Sequence, residues 1–227
     1  MSLKILYVTA TQDEAGALKN LPGIKTSPEG FLFDEHEIRL LITGVGSMSA
    51  SWAMTKWLSV NPKPDLAINA GIAGSFREDI INGDVVISVS ECFADAGIES
   101  QDGFITLAEA GLENGDKFPF RGGRIVADNK YSRIAAQLLK PVKAVTVNTA
   151  TGSAATAARL AARFDPDIET MEGAAFFYIC SREKIPFLAI RAISNRVGPR
   201  DKSKWNIPLA LGNLSEKLNS FFLMLYE

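Results

Sequence analysis

Short apolar runs rich in Val, Ile and Leu alternate with stretches of helical composition along the whole chain. Residues 3–10 (LKILYVTA) read as a buried strand, and residues 12–20 as a helix stopped by Pro22 and Gly23. Residues 30–34 and 37–43 read as a hairpin turning near His36. A helix capped by Ser47 or Ser49 runs to about Val60, and Pro62 and Pro64 break the chain after it. Residues 66–70 form the next strand and enter a loop over 71–75 (GIAGS). The strand pattern returns at 84–91, 124–127, 142–147, 168–171 and 186–193, with helices over 129–139, 153–164, 173–184 and 208–225. Residues 101–121 are glycine-rich and are expected as a long loop with a role in function or an interface. Residues 194–206 are expected as a polar loop.

Strands separated by helices pair in parallel through crossovers, and the resulting sheet needs helices on both faces. The expected fold is therefore α/β, a three-layer sandwich with a central sheet that is mixed but mostly parallel. No linker divides the chain, so residues 1–227 are expected to form a single domain.

Composition removes several functional classes. A net charge of −2 offers no basic field for nucleic acid. One histidine, His36, and two separated cysteines, Cys92 and Cys180, do not make a zinc site or a disulfide framework. A Ser–His–Asp triad would have to use His36, which lies in a strand-like stretch. No metal and no cofactor are expected. No apolar run reaches the roughly 18 residues a membrane span requires, and the N-terminus lacks a secretory signal pattern. A cytoplasmic protein is expected.

Ligands of open α/β sheets gather at strand ends. Asp13 and Glu14 follow the first strand, Gly44 and Gly46 precede a helix, and Gly71, Gly74 and Ser75 follow another strand. Glu172 follows the short strand at 168–171, and Asn195 ends the run Arg191-Ala192-Ile193-Ser194. Each has an ordinary structural reading. Carboxylates complement helix N-termini, glycines make turns, and Ser-Asn caps them. Neither glycine cluster matches a dinucleotide or P-loop fingerprint.

Taken together and in this order, these blocks resemble the purine nucleoside phosphorylase and nucleosidase superfamily, especially its methylthioadenosine/S-adenosylhomocysteine nucleosidase branch. The likeness is carried by GVGSMSA (44–50), PDLAINAGIAG (64–74), GDVVIS (83–88), TMEGAA (170–175) and PFLAIRAIS (186–194). Within it, VTAT (8–11), ADAG (94–97) and SNRVGPRD (194–201) with Lys204 and Trp205 are most similar to the futalosine hydrolase subgroup. The resemblance implies a phosphorylase/hydrolase-like sandwich, a small-molecule purine nucleoside substrate and a homo-oligomer, often a dimer. It implies that Glu14 positions and deprotonates the attacking water, and that Met171 and Glu172 hold the ribose. Gly74 and Ser75 fall in its substrate-binding stretch. Asn195 stands where methylthioadenosine enzymes carry an Asp that protonates adenine at N7.

That difference has a chemical meaning. Hypoxanthine presents two acceptors, N7 and O6, whereas adenine presents N7 and an amino donor. An amide NH2 offers two hydrogens and does not ionise, so Asn195 suits a 6-oxopurine. A buried mismatch costs about 1–3 kcal/mol, roughly 5- to 150-fold. Futalosine carries hypoxanthine, so what the resemblance implies agrees with this chemistry: hydrolysis of futalosine to hypoxanthine and dehypoxanthine futalosine, a step of menaquinone biosynthesis. Phosphorylases of the superfamily hold phosphate with an Arg near the end of the first strand. Residues 9–14 carry Asp13 and Glu14 there instead and disfavour an anion. In the loop after Asn195, Arg200 is the first candidate for the carboxylate on futalosine's side arm, and Trp205 is a candidate to pack on the ligand or in the core or an interface. The alternatives are a methylthioadenosine/S-adenosylhomocysteine nucleosidase, a phosphate-dependent phosphorylase and a non-catalytic nucleoside-binding protein.

Overall fold

The computed structural model describes residues 2–101 and 103–225. In chain order the elements are β1 (Lys4–Thr9), α1 (Gln12–Lys19), β2 (Ile24–Ser27), β3 (Gly30–Phe33), β4 (His36–Ile42), α2 (Ser47–Val60), β5 (Leu66–Ser75) and β6 (Val85–Phe93). They continue with β7 (Gly97–Ser100), β8 (Gly103–Thr106), β9 (Phe120–Arg121), β10 (Arg124–Val126), α3 (Lys130–Leu138) and β11 (Lys140–Thr146). The last are α4 (Ala154–Phe164), β12 (Ile168–Thr170), α5 (Gly173–Glu183), β13 (Phe187–Arg196), a 3-10 turn (Lys202–Lys204) and α6 (Ile207–Met224).

The fold is the expected mixed α/β sandwich. Its longest ladders are parallel: β13 on β5, β11 on β6 and β4 on β1, and β5 pairs in parallel on the other side of β1. The β2–β3–β4 meander and the β9–β10 ribbon add antiparallel edges. Strand β13 pairs with both β5 and β6, while β5 also pairs with β12, so β5, β12, β11, β6 and β13 close into a ring. Alternate residues feed the two outer layers, as the two-residue strand period demands. Ile5, Tyr7, Leu188 and Ile190 pack toward α1, α3 and α6, while Leu6, Val8, Phe187 and Ala189 pack toward α2 and α5. Among the described residues no helix is long and apolar enough to cross a membrane.

Three local expectations need correction. Residues 71–75 are strand rather than loop, because β5 runs on through both glycines to Ser75. Strand β13 likewise continues through Ser194 and Asn195 to Arg196, so the polar loop starts later than expected. The 101–121 segment is only partly irregular. It carries β8, which pairs with β7, and ends in β9. In all three places glycine or polar residues mimic loop composition while the backbone is held by a ladder.

Candidate active site

Glu14 sits at the N-terminus of α1, and its cap and its candidate catalytic position are the same arrangement. Thr11 caps the helix by accepting from Glu14 N at 3.2 Å. In return Glu14 Oε2 accepts from Thr11 N (3.0 Å), Ala10 N (3.1 Å), Thr9 Oγ1 (3.1 Å) and Thr11 Oγ1 (3.1 Å). Glu14 Oε1 accepts from Ile72 N at 2.9 Å, which leaves it acceptor capacity for water. This approach requires Gly71, since a Cβ there would collide with Glu14 Oε1. Gly71→Ala is therefore expected to push the carboxylate off Ile72 and lower kcat/KM about 10-fold with KM little changed. Steady-state kinetics check this, and wild-type kcat in Gly71→Ala would contradict it.

Glu172 is the N-cap of α5 and makes no side-chain cap to its own helix. Its Oε1 reaches α2 instead and accepts from Gly46 N at 2.8 Å. The expected Ser47 or Ser49 cap of α2 is thus replaced. The N-cap is Gly46, with φ 92°, and the first amides of α2 find Glu172 and Asn148 Oδ1. Ser47 Oγ ties down the same corner by donating to the Met171 carbonyl at 3.2 Å. Burial pushes the Glu172 carboxyl above its ordinary value, and the nearby Glu14 adds to this. The Gly46 amide and the Arg191 guanidinium pull it down. A raised value means that Glu172 gains its proton at a pH where an exposed Glu is still ionised. The acid limb of kcat/KM should therefore have its midpoint above the ordinary glutamate value of about 4.3. A limb centred at or below that value in a pH–rate profile would contradict it.

Asn195 lies opposite Gly74 in the β13–β5 ladder, just after a bulge at Ser194. Its Oδ1 accepts from Ser194 Oγ at 2.8 Å and its Nδ2 donates to the Arg196 carbonyl at 2.9 Å. One amide hydrogen remains for a ligand. A Cβ at Gly74 would lie 3.2 Å from Asn195 Nδ2 and 2.8 Å from Val197 Cγ2, so the glycine lets the Asn195 amide and the Val197 side chain pack over it. On its other edge Gly74 pairs with Glu169, whose carboxylate accepts from Thr151 N and Thr151 Oγ1.

Other expected residues lie differently. Ser75 is fully buried, and its hydroxyl is taken up by Arg77 N and the Arg77 carbonyl, which leaves no surface for a ligand. Arg200 is exposed, with its guanidinium 5.7 Å from the Trp205 ring centroid. His36 is buried, and its Nδ1 accepts from Leu3 N, as in a structural strand residue.

Arg191 of β13 is one of the largest fully buried side chains. It donates to the Asn69 carbonyl at 3.0 Å and to Asn69 Oδ1, and it acts electrostatically on Glu172 and Glu91. The sequence carries a signal for this, since a guanidinium between Ile190 and Ala192 in an apolar strand seldom has only a surface role. A hollow of about 880 Å³ lined by Cys92, Thr106, Glu109, Arg124 and Arg163 touches none of Glu14, Glu172 or Asn195. The Glu14 and Glu172 carboxylates, by contrast, are near enough to act on each other electrostatically.

A model described as the phosphorylase superfamily matches residues 4–222. The chain belongs to this superfamily of nucleoside-cleaving enzymes. Its relatives narrow the class. The futalosine hydrolase of Streptomyces coelicolor is 31% identical over 94% of this chain and 93% of its own length. That of Acidothermus cellulolyticus is 34% identical over 94% and 88%. The 5'-methylthioadenosine/S-adenosylhomocysteine nucleosidase of Bacillus subtilis is 28% identical over 86% and 87%. The same fold occurs in the futalosine hydrolase of Helicobacter pylori, with a TM-score of 0.78 at 18% identity over 96% and 97% of the two chains. It also occurs in the nucleosidase of Colwellia psychrerythraea in complex with adenine, with a TM-score of 0.81 at 21% identity over 99% and 96%.

Proposed function

We propose that this N-glycosyl hydrolase cleaves futalosine to hypoxanthine and dehypoxanthine futalosine, with Glu14, Glu172 and Asn195 carrying the reaction. The observation that carries the substrate reading is the Asn195 amide, which packs over Gly74 and keeps one hydrogen for a ligand. Likeness to several futalosine hydrolases over almost the whole chain supports it.

Glycosidic cleavage leaves positive charge on the ribose and negative charge on the base. Glu172 accepts from the ribose hydroxyls and stabilises the cationic ring. Glu14 Oε1 takes the proton of the attacking water as its oxygen bonds to C1'. Asn195 donates to N7 or O6 as the base leaves, and solvent supplies the proton that hypoxanthine gains. Met171 packs under the sugar, and Arg200 pairs with the side-arm carboxylate. Hydrolysis is favoured over phosphorolysis because the Glu14 cap fills the end of β1 with carboxylate. Hypoxanthine release from futalosine in phosphate-free buffer tests this, and strict dependence on phosphate would overturn it.

The working unit in this reading is one nucleosidase domain over residues 1–227, cytoplasmic and homo-oligomeric. The free thiols of Cys92 and Cys180 suit a reducing compartment. Val45, Met48 and Trp52 expose apolar surface at the start of α2, which suits a second copy. Trp52→Glu is expected to shift the protein to monomer in light scattering, and an unchanged mass would remove this face from the interface.

A further inference from the structure

Glu91 has no part in the steps above, yet its carboxylate is fully buried at the end of β6. It accepts from Thr146 Oγ1 at 2.9 Å, Ser88 Oγ at 3.3 Å and Thr170 Oγ1 at 3.3 Å. The two threonine hydroxyls lead toward Glu172 from both sides. The Thr146 hydroxyl gives its hydrogen to Glu91, and its oxygen accepts from Ala174 N at 2.8 Å. Ala174 lies in the first turn of α5, two residues after Glu172. Thr170 is the last residue of β12, two residues before Glu172. Gly173 lies directly over the carboxylate, since a Cβ there would collide with Glu91 Oε1. Glycine at 173 thus lets the helix start seat itself on Glu91.

A buried carboxylate is costly, and burial also raises the Glu91 pKa. An apolar residue would fill the space at lower cost. What the carboxylate adds is acceptor capacity for several hydroxyls at once, one of which satisfies an orphan amide of α5. We propose that Glu91 is a positioning residue that holds Glu172, through Thr146 and Thr170, in the geometry that receives the ribose hydroxyls. This rests on the ribose-binding role of Glu172 proposed above.

A double-mutant cycle tests it. Glu91→Gln presents an NH2 to Thr146 and competes with Ala174 N for the hydroxyl oxygen. It is expected to lower kcat/KM about 10-fold in the wild-type background and less than about 2-fold in a Glu172→Gln background. Equal losses in both backgrounds would mean a general structural role and overturn the proposal. Thr146→Val cuts the link while keeping Glu91, and it should give the same pattern if Glu91→Gln fails to fold. Thr146→Ser keeps the hydroxyl and should restore wild-type kinetics, and a Ser variant as poor as Val would also overturn the proposal. The cycle runs on whichever of futalosine, methylthioadenosine and inosine the wild type cleaves. A wrong substrate assignment is thereby told apart from a wrong role for Glu91.

Discussion

Glu14→Gln is expected to lower kcat for base release by about 1000-fold, within the range that general-base loss gives. The hydrogen bonds around Glu14 say how. Ala10 N and Thr11 N both donate to Oε2, so a glutamine must place its carbonyl oxygen there. Its NH2 then takes the Oε1 position, facing the Ile72 amide donor and the water that needs a base. The cap of α1 survives in part while the base is lost. KM should change little, because Glu172 and Asn195 lie on other elements. Single-turnover and steady-state rates of base release check this, and a loss under about 10-fold would remove Glu14 as the base.

The second large effect is on base choice. Asn195→Asp puts a carboxylate oxygen where Nδ2 now donates to the Arg196 carbonyl, at 2.9 Å. Ionised, that oxygen repels both the carbonyl and O6 of hypoxanthine. Protonated, it donates a single hydrogen where the amide has two. Hydrolysis of 6-oxopurine nucleosides should fall roughly 5- to 150-fold, the scale of an unmade buried hydrogen bond. Adenine release from methylthioadenosine should rise relative to it. The ratio of the two kcat/KM values is the readout, and an unchanged ratio would mean that Asn195 does not read the base.

Both effects concern residues that the sequence already singles out, and the reason is physical. Glu14, Glu172 and Asn195 stand at strand ends, where polar residues interrupt apolar runs. The strand and helix order is legible for the same reason, because periodicity follows burial. Interactions across the chain are less legible. Gly71 and Gly74 read as turn formers, yet they are strand residues whose missing side chains admit Glu14 at one and the Asn195 and Val197 side chains at the other. The cap of α2 comes from Glu172 and Asn148, far away in sequence, so local capping rules point to Ser47 or Ser49. Ser75 fits a family stretch, but its hydroxyl turns inward to Arg77. Arg191 and Glu91 are buried charges whose partners are known only once β5 lies beside β13 and β11 lies between β6 and β12.

The central claim is that water cleaves a 6-oxopurine nucleoside at Glu14, Glu172 and Asn195. The most direct test is competition in one tube, with futalosine and methylthioadenosine at equal concentration in phosphate-free buffer and the released bases separated and counted. Hypoxanthine in large excess over adenine, at a rate unchanged by added phosphate, is the predicted result. Adenine in excess, or release only when phosphate is added, would contradict it.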